Sequence, residues 1–441
     1  MRPLALFFVA VALAPGQTNY QATADKLIDA ALASNTGLNR LEFLCYRIGS
    51  RLAGSKALND AVDWSVAMMG SSDLDNVHTI PVTVPHWERG EESAELLEPL
   101  VKPLFMLGLG GSIATPKGGI TADVLVVSNF DELEKLGRAK VAGKIVLYDA
   151  PFTDYDATVV YRVTGASRAA RLGAVASLVR SVTPRSLRDP HTGAMNYTAT
   201  DVQIPAAAIS VEDAIYLHRL QETGQRVSVH LTMEAHKEPD ADSADVMGEI
   251  TGRELPKEVV VIGGHIDSWD VGQGANDDGS GAMAALEAIS IMKKLGLQPR
   301  RTIRVVLWTN EENGGRGGVA YEEWAKAQGE KHIAAIEMDG GAESPIGFDL
   351  PDGNPMLAKA KTVAALLKRI NADKIVSGQG EADIEPLMND GVPGFGLRTV
   401  MTHYFDYHHT NADTFDKIVP DEFRRCAAAM AVMGYVLADM P

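Results

Sequence analysis

The stretch Val259-Val260-Val261-Ile262-Gly263-Gly264-His265-Ile266-Asp267 decides the architecture. Four β-branched residues in a row, without polar alternation, are what a strand buried on both faces requires. Two glycines and then His and Asp mark its carboxyl end. Downstream, Gly281 to Leu295 reads as a helix whose apolar face is Met283, Leu286, Ile289, Ile291 and Leu295. Ile303 to Trp308 is the next buried strand, Val319 to Gln328 the next helix, and Ile333 to Met338 a third strand. Met356 to Ile370 and Glu422 to Leu437 are further helices. Repeated strand-helix units predict an α/β fold with a mostly parallel central sheet and helices on both faces.

Upstream the texture differs. Thr23 to Ile28 opens a helix, Leu58 to Met69 reads as another, and Ile48-Gly49-Ser50-Arg51-Leu52-Ala53-Gly54-Ser55 is a turn-rich connection between them. A strand-like stretch follows at Val77 to Val84. From 108 to 235, short β-type runs recur at Val124–Val127, Ile145–Tyr148, Ala206–Ile209 and Val227–Leu231. Helical segments near Ala166 to Leu172 and Val211 to Leu220 separate them. This pattern predicts a smaller domain at 108–235, inserted into a main domain formed by 21–107 and 236–441.

The chain has 441 residues, 46% of them hydrophobic and 22% charged, ordinary values for a soluble globular protein. A formal net charge of -17 argues against nucleic acid as a partner, since phosphate contacts need clustered Lys and Arg. At the start, Arg2 precedes the apolar run Leu4 to Leu13, and Ala12-Leu13-Ala14 has the form of a signal-peptidase site. Residues 1–14 therefore read as a signal peptide, and the product as secreted or periplasmic. The run is too short for a permanent span, and no later segment reads as one. Cys45 and Cys426 are the only cysteines, so neither a disulfide framework nor a thiolate zinc site is available. Export would permit the two to pair, and burial as free thiols is the other possibility.

In open α/β sheets ligands gather beyond the carboxyl ends of strands, so the residues there carry the chemistry. Three successive strands deliver His265 and Asp267, then Glu311 and Glu312, then Asp339. The loop Gly272-Gln273-Gly274-Ala275-Asn276-Asp277-Asp278-Gly279-Ser280-Gly281 adds carboxylates on a backbone flexible enough to approach an ion. His408-His409-Thr410-Asn411-Ala412-Asp413-Thr414 adds imidazole and a further carboxylate. Imidazole and carboxylate in this concentration suit Zn²⁺. Ser280 lies in Gly-Ser-Gly, but no strand leads into it as a nucleophile elbow requires, which argues against serine hydrolysis.

In this order the motifs resemble those of the co-catalytic di-zinc exopeptidases: H-x-D, a Gly-rich loop with Asp, E-E, Asp, and H-T-x-x-D-T. The insert resembles the protease-associated domain of several relatives. The resemblance implies the zinc exopeptidase fold and two Zn²⁺ per chain. His265 and Asp339 would hold one, Glu312 and His409 the other, with Asp277 bridging; the H-T-x-x-D-T register selects His409 over His408. Glu311 would be the general base, and Asp267 would bind the far ring nitrogen of His265. The implied substrate is a dipeptide or short peptide, and the implied assembly a homodimer. A single-zinc cyclase on the same fold, or a non-catalytic binding protein that keeps it, are the competing readings.

Overall fold

The structure is a computed structural model and describes residues 20–198 and 202–441. The signal-type segment lies outside the described residues. Two eight-stranded sheets organise the chain. The first runs in the order Asp75–Glu88, His236–Ile250, Arg301–Trp308, Leu255–His265, Lys331–Glu337, Gly394–Thr399, Pro345–Leu350, Lys374–Ser377. It is mixed: the strands around Leu255–His265 are parallel, while His236–Ile250 and Pro345–Leu350 pair antiparallel with their inner neighbours.

Side-chain alternation along Leu255–His265 explains its unbroken apolar run. Val260 and Ile262 enter the cluster that holds Leu286, Val305 and Met433. Val261 points the other way, to Val306, Trp308 and Tyr321. Helices Gln21–Ala33, Ser280–Lys294 and Pro420–Asp439 cover the first face; Arg316–Ala327 and Glu385–Asn389 cover the second. Each fully buried Val, Ile or Leu contributes roughly 1.5–3 kcal/mol relative to exposure.

The second sheet runs Lys102–Leu104, Glu92–Glu98, Ser228–Met233, Ile120–Val127, Ile145–Tyr148, Ala176–Arg180, Ala206–Ile209, Met106–Gly108. Its two apolar faces are packed by helix Val211–Glu222 on one side and by Phe130–Val141 and Tyr155–Arg171 on the other. The sheet begins earlier in the chain than the change of texture at 108, because Glu92–Glu98 pairs with both Ser228–Met233 and Lys102–Leu104. The two sheets are joined by a long antiparallel ribbon, Asp75–Glu88 against His236–Ile250. Beside that crossing Arg89 grips Asp270 with two hydrogen bonds of 2.7 and 2.6 Å, so the second sheet is tied to the loop following His265.

Among the described residues no helix is long and apolar enough to cross a membrane. Cys45 and Cys426 are buried and free; the Cys426 thiol donates to the Glu343 carbonyl at 3.3 Å.

Candidate metal centre

Parallel register brings the strand ends level. His265 lies opposite Trp308, and Gly263 opposite both Val306 and Glu337. The residues that follow, Glu311, Glu312 and Asp339, therefore emerge along one edge beside His265. Gly264 is needed there: a Cβ would collide with the Asp278 carboxylate, which accepts hydrogen bonds from the backbone N–H of His265 at 3.1 Å and of Gly281 at 3.0 Å.

Asp277 sits at the centre, and its two oxygens face different imidazoles. Oδ1 is 3.5 Å from His265 Nε2, and Oδ2 is 3.3 Å from His409 Nε2. His265 Nε2 is also 3.4 Å from Asp339 Oδ1, and His409 Nε2 is 3.1 Å from Glu312 Oε2. His265 is fully buried, and its Nε2, Asp277 Oδ2 and Asp339 Oδ1 have no hydrogen-bond partner. Two ligand atoms, each about 2.1 Å from one tetrahedral ion, stand about 3.4 Å apart. The observed spacings match that figure, so the residues fit cations held on either side of Asp277.

The charge balance fits as well. Burial opposes a charged His265, but Asp339, Asp267 and Asp277 outweigh it and hold the ring well above its usual value. His409, likewise opposed by burial, is carried to about 10 by Glu312 and Asp277. Burial and then the Asp277 charge push Glu312 up to about 7. Glu311, half-buried on the surface of the cluster, is raised well above the carboxylate range by desolvation and by Asp339 and Glu312, with His265 opposing. Burial and neighbouring carboxylates likewise raise Asp339, whereas Asp277, although burial opposes it, is held well below the carboxylate range by the His265 and His409 imidazoles; a bound cation would offset this crowding of anions.

Among the described residues, three triads have ligand atoms within 4.8 Å of one another: His265-Asp277-Glu312, Asp277-His408-His409 and His265-Asp278-Asp339. All five sequence-predicted ligands are thus brought together, with Asp278 and His408 added. Asp278 uses its oxygens on backbone N–H groups. His408 stacks on His409 with ring centres 3.6 Å apart and reaches Asp277 only at 3.7 Å.

Asp267 stands somewhat differently from expectation. The nearest contact of His265 Nδ1 is the Asp267 backbone carbonyl at 3.1 Å, the carboxylate being at 3.6 Å. That carboxylate instead accepts the N–H groups of Glu311 at 3.1 Å and Glu312 at 3.4 Å, fixing the pair relative to His265. Asp413 holds the central loop in the same manner, accepting from the N–H of Asn276 at 2.8 Å and of Asp277 at 3.1 Å. Two arginines and a threonine that no motif singled out also reach the site. Arg51 is wholly buried beneath the loop that carries Asp277, and Arg162 and Thr192 of the second sheet's domain touch His409.

Residues 245–433 match the model of Peptidase family M28, and residues 99–217 that of the PA domain. The chain is 45% identical to carboxypeptidase Q of Mus musculus over 425 residues, covering 96% of this chain and 90% of that one. The crystal structure of a Peptidase M28 precursor from Shewanella amazonensis is similar at 35% identity and a TM-score of 0.92, covering 95% and 96% of the two chains. BSAP, a zinc aminopeptidase from Bacillus subtilis, shares the fold at 19% identity and a TM-score of 0.67, with 95% of each chain covered.

Proposed function

From the premise that the chain belongs to peptidase family M28 and is a metallo-exopeptidase, we propose that it hydrolyses dipeptides or short peptides at a site holding two Zn²⁺, with Glu311 as general base. One observation carries this reading: the two oxygens of Asp277 face His265 and His409 separately, at 3.5 and 3.3 Å. In it, His265 and Asp339 hold one ion, Glu312 and His409 the other, and Asp277 both. When bound, zinc supplies Lewis acidity that polarises the scissile carbonyl and lowers the pKa of water.

The remaining work falls to side chains. Glu311 takes a proton from the attacking water and returns it to the leaving amine. Its neighbour Glu312 is committed to a cation and to the Trp269 N–H at 3.1 Å, which leaves Glu311 free for proton transfer. Asp267 holds both through their backbone. Names of relatives support the substrate class, one being a carboxypeptidase and another a zinc aminopeptidase. On a dipeptide the two labels describe the same cut. Export through the leading apolar segment and assembly as a homodimer belong to the same reading.

Glu311→Ala tests it. Expected is a loss of dipeptide turnover of about 10²–10⁴-fold, with zinc content by elemental analysis unchanged at two per chain. Retained turnover rules out the assigned base, and one zinc per chain in the unaltered protein rules out the two-ion site.

A further inference from the structure

We propose that the inserted domain completes the His409 arm of the metal centre, with the Thr192 backbone fixing the imidazole and Arg162 bracing Thr192. This rests on the reading in which His409 holds a cation through Nε2.

Thr192 and His409 exchange two hydrogen-bond contacts across the domains. The Thr192 N–H donates to the His409 carbonyl at 3.0 Å, and His409 Nδ1 lies 3.2 Å from the Thr192 carbonyl. His409 also has φ of 61°, a left-handed conformation that non-glycine residues rarely adopt, so its backbone needs holding from outside. Thr192 is fully buried and Arg162 is 5% exposed. The Arg162 guanidinium donates to the Thr192 carbonyl at 3.3 Å and to the Tyr155 hydroxyl at 2.9 Å. Gly193 leaves space for it, since a Cβ there would collide with the guanidinium.

Arg162 Nη1 is also 3.3 Å from His409 Nδ1. That nitrogen cannot both donate to Thr192 and accept from Arg162. A ring that presents a lone pair to a cation at Nε2 carries its proton on Nδ1, and the Thr192 carbonyl is the acceptor in reach. Arg162 then shares that carbonyl, whose two lone pairs accommodate both donors. His265 finds its equivalent partner, the Asp267 carbonyl, inside the peptidase domain. One half of the centre is therefore self-contained, and the other depends on the insert.

The test uses the full chain loaded with Zn²⁺, dialysed against graded chelator, with residual zinc counted by elemental analysis. In Arg162→Ala, one of two equivalents should leave at roughly tenfold lower chelator strength, the usual scale for outer partners of a ligand, while the other is unchanged. Tyr155→Phe should weaken the same equivalent by less, and it carries the test if Arg162→Ala does not fold. Arg168→Ala, on the same helix but with its guanidinium at the surface, 3.0 Å from Glu134 and 4.0 Å over the Phe130 ring and away from Thr192, should match the unaltered chain. Retention of both equivalents as in the unaltered chain, or equal weakening of both, overturns the proposal. His409→Ala separates the two levels. If it keeps both equivalents, the ligand assignment fails; if it loses one while Arg162→Ala and Tyr155→Phe lose none, the brace alone fails.

Discussion

Arg51 donates to the carbonyl of Gln273 at 2.7 Å, linking the turn before helix Lys56–Ser71 to the loop that presents Asp277. The same guanidinium serves the carbonyls of Gly49 at 2.6 Å, Ile266 at 2.7 Å and Gly274 at 3.0 Å. Burial pulls its pKa down, and Cys45, Asp267, Asp413 and Glu312 act the other way. Arg51→Ala strips four carbonyls of a donor at once, those of Ile266 and Gly274 in buried contacts. Expected is a loss of about 3 kcal/mol in unfolding free energy, read by urea denaturation, together with weaker zinc retention. A loss under about 1 kcal/mol would show that water replaces the guanidinium and that the loop does not need it.

Asp277→Asn isolates the central charge. The backbone of Asp277 is held by Asp413, so the loop keeps its anchor when the side chain is neutralised. Two divalent ions about 3.5–4 Å apart repel strongly unless an anion lies between them. Zinc content should fall to one per chain or lower, with turnover reduced at least about 10²-fold. A variant that retains two zinc ions at micromolar chelator would refute the bridging role.

The titration of the cation-free site has a definite sign. His409 stands at about 10 in the folded chain, where Glu312 and Asp277 overcome the effect of burial, and near 6.5 when unfolded. Its charged form adds stability in full below about pH 6.5, and that contribution is lost as pH rises through about 10. Glu312, pushed by burial and Asp277 to about 7, adds stability below about pH 4.5 that is lost as pH rises through about 7. Zinc needs both groups deprotonated, so its apparent affinity rises as the stability of the cation-free chain falls. Scanning calorimetry at pH 6, 7 and 8 should show a thermal-midpoint gain on adding zinc that grows with pH. A constant gain would contradict the ligand assignment.

Legibility in the sequence followed burial. Runs such as Val259–Ile262 and Ile303–Trp308 are apolar on both faces because the sheet is covered on both, and ligand-type residues follow them directly; that made the centre of the fold and the first half of the site readable. Glu92–Glu98, with the sequence Glu-Ser-Ala-Glu-Leu-Leu-Glu, is rich in helix formers, yet its pairing on both edges makes it a strand with Ala94 and Leu96 turned inward. The polar start of His236–Ile250 hid a strand because its first half is largely exposed. Arg51, Arg162 and Thr192 escaped for another reason. Arg51 and Thr192 meet groups more than 200 residues away, and Arg162 acts through Thr192, so no local pattern encodes these contacts.

Asp245 offers a test read in stability rather than in turnover. It is fully buried; its Oδ1 accepts from the Thr309 N–H at 2.9 Å and its Oδ2 has no partner. Burial pushes its pKa to about 8, the Thr309 hydrogen bond pulling down and Asp267 adding to the rise. Unfolded, the carboxyl titrates near 3.9, so the folded state holds the proton more tightly. Stability from this group is therefore complete below about pH 3.9 and is lost as pH rises through about 8. Asp245→Asn keeps an oxygen for Thr309 and cannot ionise. Between pH 4.5 and 8.5 the unfolding free energy of the variant should gain on the unaltered chain by at least about 1 kcal/mol, the equivalent of under one pKa unit. A difference that stays constant across that range in urea denaturation would mean that Asp245 remains ionised where it is buried.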